Sequence, residues 1–178
     1  YTEGFNPRIY MTYAMPLSLG VCGERECMDI RLTEELPLEQ IPEMLNAHLP
    51  KDLRVLAASE PVDKFEDIQF GDYEILLESE NPAALQEKIQ KLLGRETILV
   101  RKHTKKGDRD VDIKPDFAQV TCSCQEGGVF LTMRLPCSVN GSINPALLLE
   151  ALKQYEEAEP FCTITRKRLL TKDFSEFR

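Results

Sequence analysis

YEILLESENPAALQEKIQKLLG, residues 73–94, is the stretch from which the fold class of this chain is most readily predicted. Its first residues alternate apolar Tyr73, Ile75 and Leu77 with mostly polar neighbours, the pattern of a strand with one buried face. Asn81 and Pro82 follow as a helix start, because asparagine caps free amide groups and proline suits the first helical position. Leucine and isoleucine then recur at helical spacing, which predicts a helix that ends near residue 94.

The chain after residue 94 continues this alternation of strands and helices. Strands are predicted at residues 97–101 and 110–113, a hairpin at residues 119–124 and 129–135, and a closing strand at residues 162–170. A second Asn-Pro pair, Asn144-Pro145, predicts another helix start. Residues 172–178 are predicted to be a frayed tail, in which Phe174 and Phe177 could stack on bases, although docking on the sheet is favoured. The order of elements is typical of a split βαβ, ferredoxin-like sandwich with helices on one face of an antiparallel sheet.

The first part of the chain shows the same unit in incomplete form. Alternating residues predict strands at 9–15 and 27–32, Pro42 and Pro50 bound a short helix, and residues 53–58 predict a third strand. Residues 59–70 are acidic and unpatterned, so we expect them to connect two halves. We therefore predict an α+β protein of two ferredoxin-like units, an incomplete one at residues 1–60 and a complete one at residues 71–171.

Composition narrows the class of protein. The net charge is −8, but residues 1–93 hold 8 Lys/Arg against 18 Asp/Glu, whereas residues 94–178 hold 14 against 12. No apolar run approaches the length of about 20 residues that a membrane span needs. Six cysteines without a signal-peptide pattern indicate a reducing compartment, and we predict a cytoplasmic protein.

Catalytic and metal-binding motifs are missing from the sequence. It contains no C-x-x-C pair, no phosphate-binding glycine loop, no H-E-x-x-H and no G-x-S-x-G. Only His48 and His103 could serve as histidine bases or ligands. We therefore predict no catalytic residue and no metal site.

The strongest binding candidate is the basic segment RKHTKKGDR at residues 101–109. On a hairpin it would form a cationic tip able to meet phosphates or an acidic partner. Arg166, Lys167 and Arg168 on the closing strand would extend this patch if the two strands are neighbours. The alternative is a solvated edge whose lysines oppose sheet-to-sheet aggregation. The basic residues of the segment are Arg101, Lys102, Lys105, Lys106 and Arg109.

A second candidate lies in the opening turn Gly4-Phe5-Asn6-Pro7. Turns of this kind can present backbone N–H groups and an amide side chain, so Asn6, Arg8 and Tyr10 are candidates for ligand or partner binding. Asp29, which points outward from its predicted strand, completes this set. A tight structural turn and a surface ion pair of Asp29 are the competing interpretations.

The opening turn, the segment Leu17-Ser18-Leu19-Gly20 and the strand at residues 27–32 resemble the radical-SAM-linked protein family, an uncharacterised bacterial domain family (domain of unknown function 2344). Residues 111–115, Asn144-Pro145 and residues 164–166 match its pattern as well, so the likeness covers nearly the whole chain. The family has His-Pro-Lys after its Asn-Pro, where this chain has Arg8-Ile9-Tyr10. Its members also begin with a further strand and helix, which implies that this sequence is truncated at its N-terminus.

The resemblance implies a protein encoded beside, or fused to, a radical SAM enzyme, in the neighbourhood of RNA-processing and ribosomal genes. This chain has no C-x-x-x-C-x-x-C motif, so the partner enzyme would carry the iron–sulfur cluster and S-adenosylmethionine, and we expect no cofactor here. We predict a non-catalytic accessory module that binds a radical SAM protein and RNA or a ribosomal substrate, with no membrane partner. Two alternatives stay open: an RNA-modifying or RNA-processing enzyme with an unrecognised site, and a purely protein–protein interaction module.

Overall fold

The fold is α+β, which confirms the predicted class. A computed structural model describes residues 5, 9–104 and 107–178. The chain forms two compact units, one of Tyr1–Ala14, Cys27–Lys64 and Arg178, and a second of Met15–Glu26 and Phe65–Phe177. The finer assignment of two ferredoxin-like units, and the boundaries 1–60 and 71–171, stay predictions.

Strands outnumber helices among the described residues, and none of these helices is long and apolar enough to cross a bilayer. Two short 3₁₀ turns, at Leu38–Gln40 and Phe65–Asp67, precede α1 and β4. The elements in chain order are β1 (Met11–Tyr13), β2 (Val21–Gly23), β3 (Met28–Ile30), α1 (Ile41–Asn46), β4 (Ile68–Glu78), α2 (Pro82–Leu93), β5 (Leu99–Thr104), β6 (Gly107–Asp112), β7 (Thr121–Gln125), β8 (Gly128–Ser138), β9 (Gly141–Ser142), α3 (Ala146–Glu156) and β10 (Cys162–Thr171).

The first unit contains β1 paired antiparallel with β3, followed by α1. Pro42 occupies the first turn of α1, as predicted. The predicted strand at residues 53–58 is wrong. The side-chain amide of Asn46 donates to the Val55 carbonyl over 3.0 Å and accepts from the Val55 N–H over 2.8 Å. Val55 therefore satisfies its backbone groups with a side chain in place of a partner strand.

The second unit is built on a sheet with the strand order β2-β10-β4-β8-β7, and β9 pairs with the end of β8. All of these pairs are antiparallel except β2 with β10, which is parallel. The predicted hairpin is confirmed as β7 and β8. Gly127 takes a φ of +88° in its turn, and a Cβ on Gly128 would lie 2.3 Å from the Leu77 carbonyl oxygen, so both positions suit glycine.

One face of this sheet carries the core. Helices α2 and α3 cover it with leucine and isoleucine side chains, and burial of each such side chain contributes about 1.5–3 kcal/mol. The Asn81 side chain accepts from the Ala84 N–H over 3.1 Å, which confirms the predicted cap of α2. The residues of the core include Tyr73, Ile75, Leu77, Ile89, Leu92, Val129, Leu131, Leu135, Leu148 and Leu152.

Strands β5 and β6 form a separate two-stranded hairpin. Its base is anchored, because Val100 is buried and the Tyr155 hydroxyl contacts both the N–H and the carbonyl of Leu99, over 3.1 and 3.2 Å. The neighbours of β10 are β2 and β4. Because β10 does not lie beside this hairpin in a sheet, residues 166–168 do not extend the basic segment in the way the sequence suggested.

The C-terminal tail is folded back on β10, so the predicted frayed tail is wrong. The Phe177 N–H donates to the Leu169 carbonyl over 3.0 Å. The Phe177 ring is buried, with its centroid 6.0 Å from that of Phe65. An apolar side chain near the end of the tail therefore holds it in place.

Candidate binding groove on the open face of the sheet

The sheet face opposite the helices, here called the open face, is polar and charged. Successive side chains of a strand point to opposite faces, so Asp72 and Glu74 lie on the far side of the strand from buried Tyr73. Thr132 and Arg134 alternate in the same way with the core residues of β8. These side chains line a groove of about 480 Å³, which we call the open-face groove.

A β-bulge in β10 adds two cations to this groove. The register pairs Arg166 with Tyr73 and Arg168 with Asp72, which leaves Lys167 as an extra residue between them. Lys167 Nζ lies 3.2 Å from Glu74 Oε2, and Arg168 Nε donates to Asp72 Oδ2 over 2.9 Å. Two successive basic side chains therefore reach the same face of the sheet.

At the centre of the groove, two guanidinium groups share one carboxylate. Arg134 donates from Nε to Asp72 Oδ1 over 2.7 Å and from Nη2 to Oδ2 over 3.2 Å, and Arg168 donates to the same Oδ2. Burial opposes ionisation of Asp72, but hydrogen bonds from the two arginines outweigh it and hold the pKa of this carboxyl below its ordinary value. The Asp72 carboxylate can neutralise only one of the two guanidinium charges.

The remaining charges of the groove are more evenly matched. Lys167 lies between Glu24 Oε1, at 2.5 Å, and Glu74. The hydrogen bond that Lys167 donates to Glu24 is the main cause that raises the pKa of Lys167. Arg25 pairs over 3.0 Å with Glu176. The groove lining therefore holds four cationic side chains and three carboxylates, and Glu176, the partner of Arg25, is a fourth carboxylate beside it.

An aromatic side chain lies beside the Arg134 guanidinium. The Arg134 Cζ is 4.8 Å from the ring centroid of Phe174, and the ring of Phe70 is 5.0 Å from the same ring. Phe174 remains 53% exposed and has a φ of +61°. A bulky residue in this left-handed conformation costs about 1–2 kcal/mol, so the backbone is strained where it presents the ring.

A family model matches most of the chain, including part of this groove. The family is described as an uncharacterized protein conserved in bacteria (DUF2344), and the match covers residues 1–145. The chain belongs to this family. No curated protein and no solved structure matches it. The matched residues include Asp72 and Arg134 but end before β10, which supplies Arg168.

On the helix-covered side of the sheet, Arg166 forms a buried ion pair. Arg166 is 2% exposed, and its Nε donates to Glu26 Oε1 over 3.0 Å while its Nη2 donates to Glu26 Oε2 and to the Met15 carbonyl. Burial lowers the pKa of Arg166, but the hydrogen bonds donated to Glu26 outweigh it and raise the pKa above its ordinary value. Burial also raises the pKa of neighbouring Tyr73 to about 12. Arg166 thus belongs to the packed interior, in contrast to Lys167 and Arg168.

The basic segment predicted from the sequence spans the hairpin of β5 and β6. Arg101 and Arg109 are exposed, and Arg101 Nε lies 3.4 Å from Asp108 Oδ2. The register places Arg109 opposite Lys102 and places Arg101 opposite Asp110. The side chain of Lys102 and the whole of Lys105 and Lys106 lie outside the described residues.

The candidates from the opening turn lie in the first unit. Asn6 and Arg8 lie outside the described residues. Tyr10 is 43% exposed, and the Arg31 guanidinium lies 5.5 Å from its ring centroid. Asp29 is exposed on β3, opposite Thr12. The two described members of this set, Tyr10 and Asp29, do not line the open-face groove.

Sequence reasoning missed Asp72 and Arg134 as candidates, and for Phe174 it favoured docking on the sheet over stacking on a base. The available signal was Arg134, a cation on the outward face of a strand whose other face is apolar. Its pairing with Asp72 depends on the register between β4 and β8, which joins residues 62 positions apart. All six cysteines are free thiols, and the described residues contain no group of three or more His, Cys, Asp or Glu placed to hold a metal ion.

Proposed function

We propose that this chain is a non-catalytic module that binds RNA through the open-face groove and acts as an accessory to a radical SAM enzyme. The observation that carries the RNA proposal is the pair of guanidinium groups, Arg134 and Arg168, that share the single carboxylate of Asp72. Among these three side chains one positive charge is in excess, and solvent reaches it, since the side chains of Arg134 and Arg168 are 35% and 45% exposed.

The geometry of this pair suits a phosphate. Arginine offers several N–H donors in one plane and binds phosphate oxygens in pairs. Arg168 uses Nε for Asp72, and among the described residues its two Nη groups have no hydrogen-bond partner. A phosphodiester oxygen can therefore be bound by Arg168 without breaking the bond to Asp72.

The basic hairpin supplies a second contact with the same polyanion. Arg101 and Arg109 are exposed on this hairpin, and arginine donors of this kind bind phosphate oxygens. The hairpin is anchored at its base by Tyr155, so it can hold a fixed position when it binds.

The role as an accessory module rests on the resemblance of the opening turn and the downstream motifs to radical-SAM-linked proteins. Exposed apolar side chains on β1 and β3, namely Met11, Tyr13 and Met28, support a protein partner for the first unit. In this proposal the partner enzyme performs the chemistry, and this chain holds the RNA or ribosomal substrate. The second unit is proposed to be ferredoxin-like, which the order β10-β4-β8-β7 with α2 and α3 on one face supports.

Binding of a labelled single-stranded RNA across a salt series tests the RNA proposal. We expect salt-sensitive binding by the wild-type chain and a loss of about tenfold or more in the double variant Arg134→Gln, Arg168→Gln, because about 1 to 3 kcal/mol is lost with each charge-assisted hydrogen bond. Lys153→Gln is the matched control, since Lys153 is exposed on α3 and pairs with Glu159 over 2.8 Å. Absence of salt-sensitive binding, or equal affinity of the double variant, would refute the proposal.

Co-purification with the radical SAM protein tests the accessory role separately. We expect the partner to be recovered after nuclease treatment, and to be lost from a Met11→Glu, Tyr13→Glu variant whose folding is unchanged. Recovery that depends on intact RNA would contradict a direct protein contact. Turnover of RNA by the isolated chain would instead favour the enzyme alternative.

A further inference from the structure

We infer that the exposed ring of Phe174 is a stacking platform for one nucleobase, so that the open-face groove selects single-stranded over double-stranded RNA. This inference rests on the proposed function, because the groove must first hold the phosphate of the same nucleotide. The ligand chemistry is a nucleotide whose phosphate meets Arg134 or Arg168 and whose base stacks on Phe174.

The first argument is the placement of the ring. Phe174 is 53% exposed, yet it is not loose, since Phe70 packs at 5.0 Å and the Arg134 guanidinium lies 4.8 Å from its centroid. An aromatic ring that is fixed by neighbours and open to solvent can stack on a base with little loss of side-chain entropy. The Arg134 guanidinium would then bind the phosphate of the nucleotide while it stays beside the Phe174 ring on which the base stacks.

The second argument is the backbone of the turn that carries the ring. The Phe174 N–H donates to the Thr171 carbonyl over 3.1 Å, and the Thr171 N–H donates to the Ser175 carbonyl over 2.9 Å. Position 174 takes a φ of +61°, a conformation that glycine or asparagine adopts with less strain. Phenylalanine at this position is unfavourable for the turn, which points to a use for its ring.

The third argument is selectivity. The bases of an RNA duplex are stacked on one another and are not free to stack on a protein ring, whereas unpaired bases are. A groove that offers only guanidinium groups would bind duplex and single strand through their phosphates alike. The Phe174 ring therefore adds affinity only for an unpaired base.

The strained turn allows a test that separates folding from binding. Phe174→Asn removes the ring and its contact with Phe70 but relieves the left-handed conformation, so we expect little or no loss of thermal stability. Fluorescence anisotropy is measured with three labelled probes: an oligoadenylate, an abasic ribose-phosphate strand of equal length, and an RNA duplex.

We expect the wild-type chain to bind the oligoadenylate about tenfold more tightly than the abasic strand, because only the oligoadenylate has a base that can stack on the ring. Phe174→Asn should reduce oligoadenylate binding to the level of the abasic strand and leave abasic binding unchanged, whereas Phe174→Tyr should retain the preference. Equal affinity of the wild-type chain for the oligoadenylate and the abasic strand, with both bound, would overturn the stacking inference alone, as would a duplex bound as tightly as the oligoadenylate. Failure of the wild-type chain to bind any probe would overturn the proposed function with it.

Discussion

At the level of single residues, Arg166 shows how a buried charge depends on one partner. Glu26 accepts two hydrogen bonds from the guanidinium, and Arg166 is 2% exposed. Glu26→Ala would leave a buried positive charge without a counter-ion, and we expect a loss of about 3 kcal/mol in the free energy of unfolding. Chemical denaturation measures this loss. The control is Glu24→Ala, whose carboxylate is half exposed and should matter much less; equal effects of the two changes would contradict the burial argument.

The raised pKa of Tyr73 leads to a second prediction about a single residue. Burial raises its pKa from the ordinary value of 10.0 to about 12. The folded state therefore keeps the proton over a range in which the unfolded state loses it, so this contribution to stability is complete below pH 10 and is lost as pH rises towards about 12. Ultraviolet absorbance of phenolate across this range should show a late-titrating tyrosine that is missing from Tyr73→Phe. If the Tyr73→Phe variant shows the same late phase, that phase belongs to another tyrosine.

At the level of elements, the bulge of β10 can be removed without moving its neighbours. Deleting Lys167 leaves Arg166 opposite Tyr73 and Arg168 opposite Asp72, and the normal alternation of a strand then places these side chains on opposite faces. We therefore expect the deletion variant to fold with its groove arginines in place. Deleting Thr165 should destabilise the protein more, because it moves Lys167 into the buried position of Arg166, where an ammonium cannot form the same paired bonds.

Denaturant unfolding and RNA binding of the two deletion variants check this expectation. The Lys167 deletion should retain most of the affinity, since Lys167 is already matched by Glu24 and Glu74. A larger loss of stability from the Lys167 deletion than from the Thr165 deletion would show that the bulge is required for the sheet.

The elements also show which parts of this protein are readable from sequence. The cap at Asn81 and the hairpin of β7 and β8 depend on residues a few positions apart, so local patterns predicted them. The strand β2 has three residues and finds its partner in β10, which no local pattern indicates. The groove was missed for the same reason, because Asp72, Arg134 and Arg168 meet only through strand register. Residues 53–58 have a sequence pattern typical of a strand but do not form a strand. The Asn46 side chain binds the backbone N–H and carbonyl of Val55, which a partner strand would otherwise bind.

For the whole molecule, the charge balance limits how the groove can bind a polyanion. The chain has a net charge of −8, so an approaching RNA is repelled at long range, and salt screens this repulsion over about 10 Å at 0.1 M. Within the groove, Lys167 and Arg25 already have carboxylate partners, and the excess charge belongs to Arg134 and Arg168. Binding should therefore depend on a few local contacts.

This balance predicts a shallow dependence of RNA affinity on salt. Each phosphate neutralised on a single strand contributes a slope of about −0.7 in a plot of log affinity against log salt, so the one or two contacts of the groove contribute a slope between about −0.7 and −1.4. Arg168→Gln should reduce the magnitude of the slope by about 0.7, while Arg25→Gln should change it little because Glu176 already neutralises Arg25. If the wild-type slope is steeper than about −3 and becomes shallower in the Arg109→Gln variant, the main contact belongs instead to the basic hairpin. The salt series thus decides which of the two cationic surfaces supplies the binding energy, because five of the residues at 101–109 are Lys or Arg, enough to produce the steeper slope.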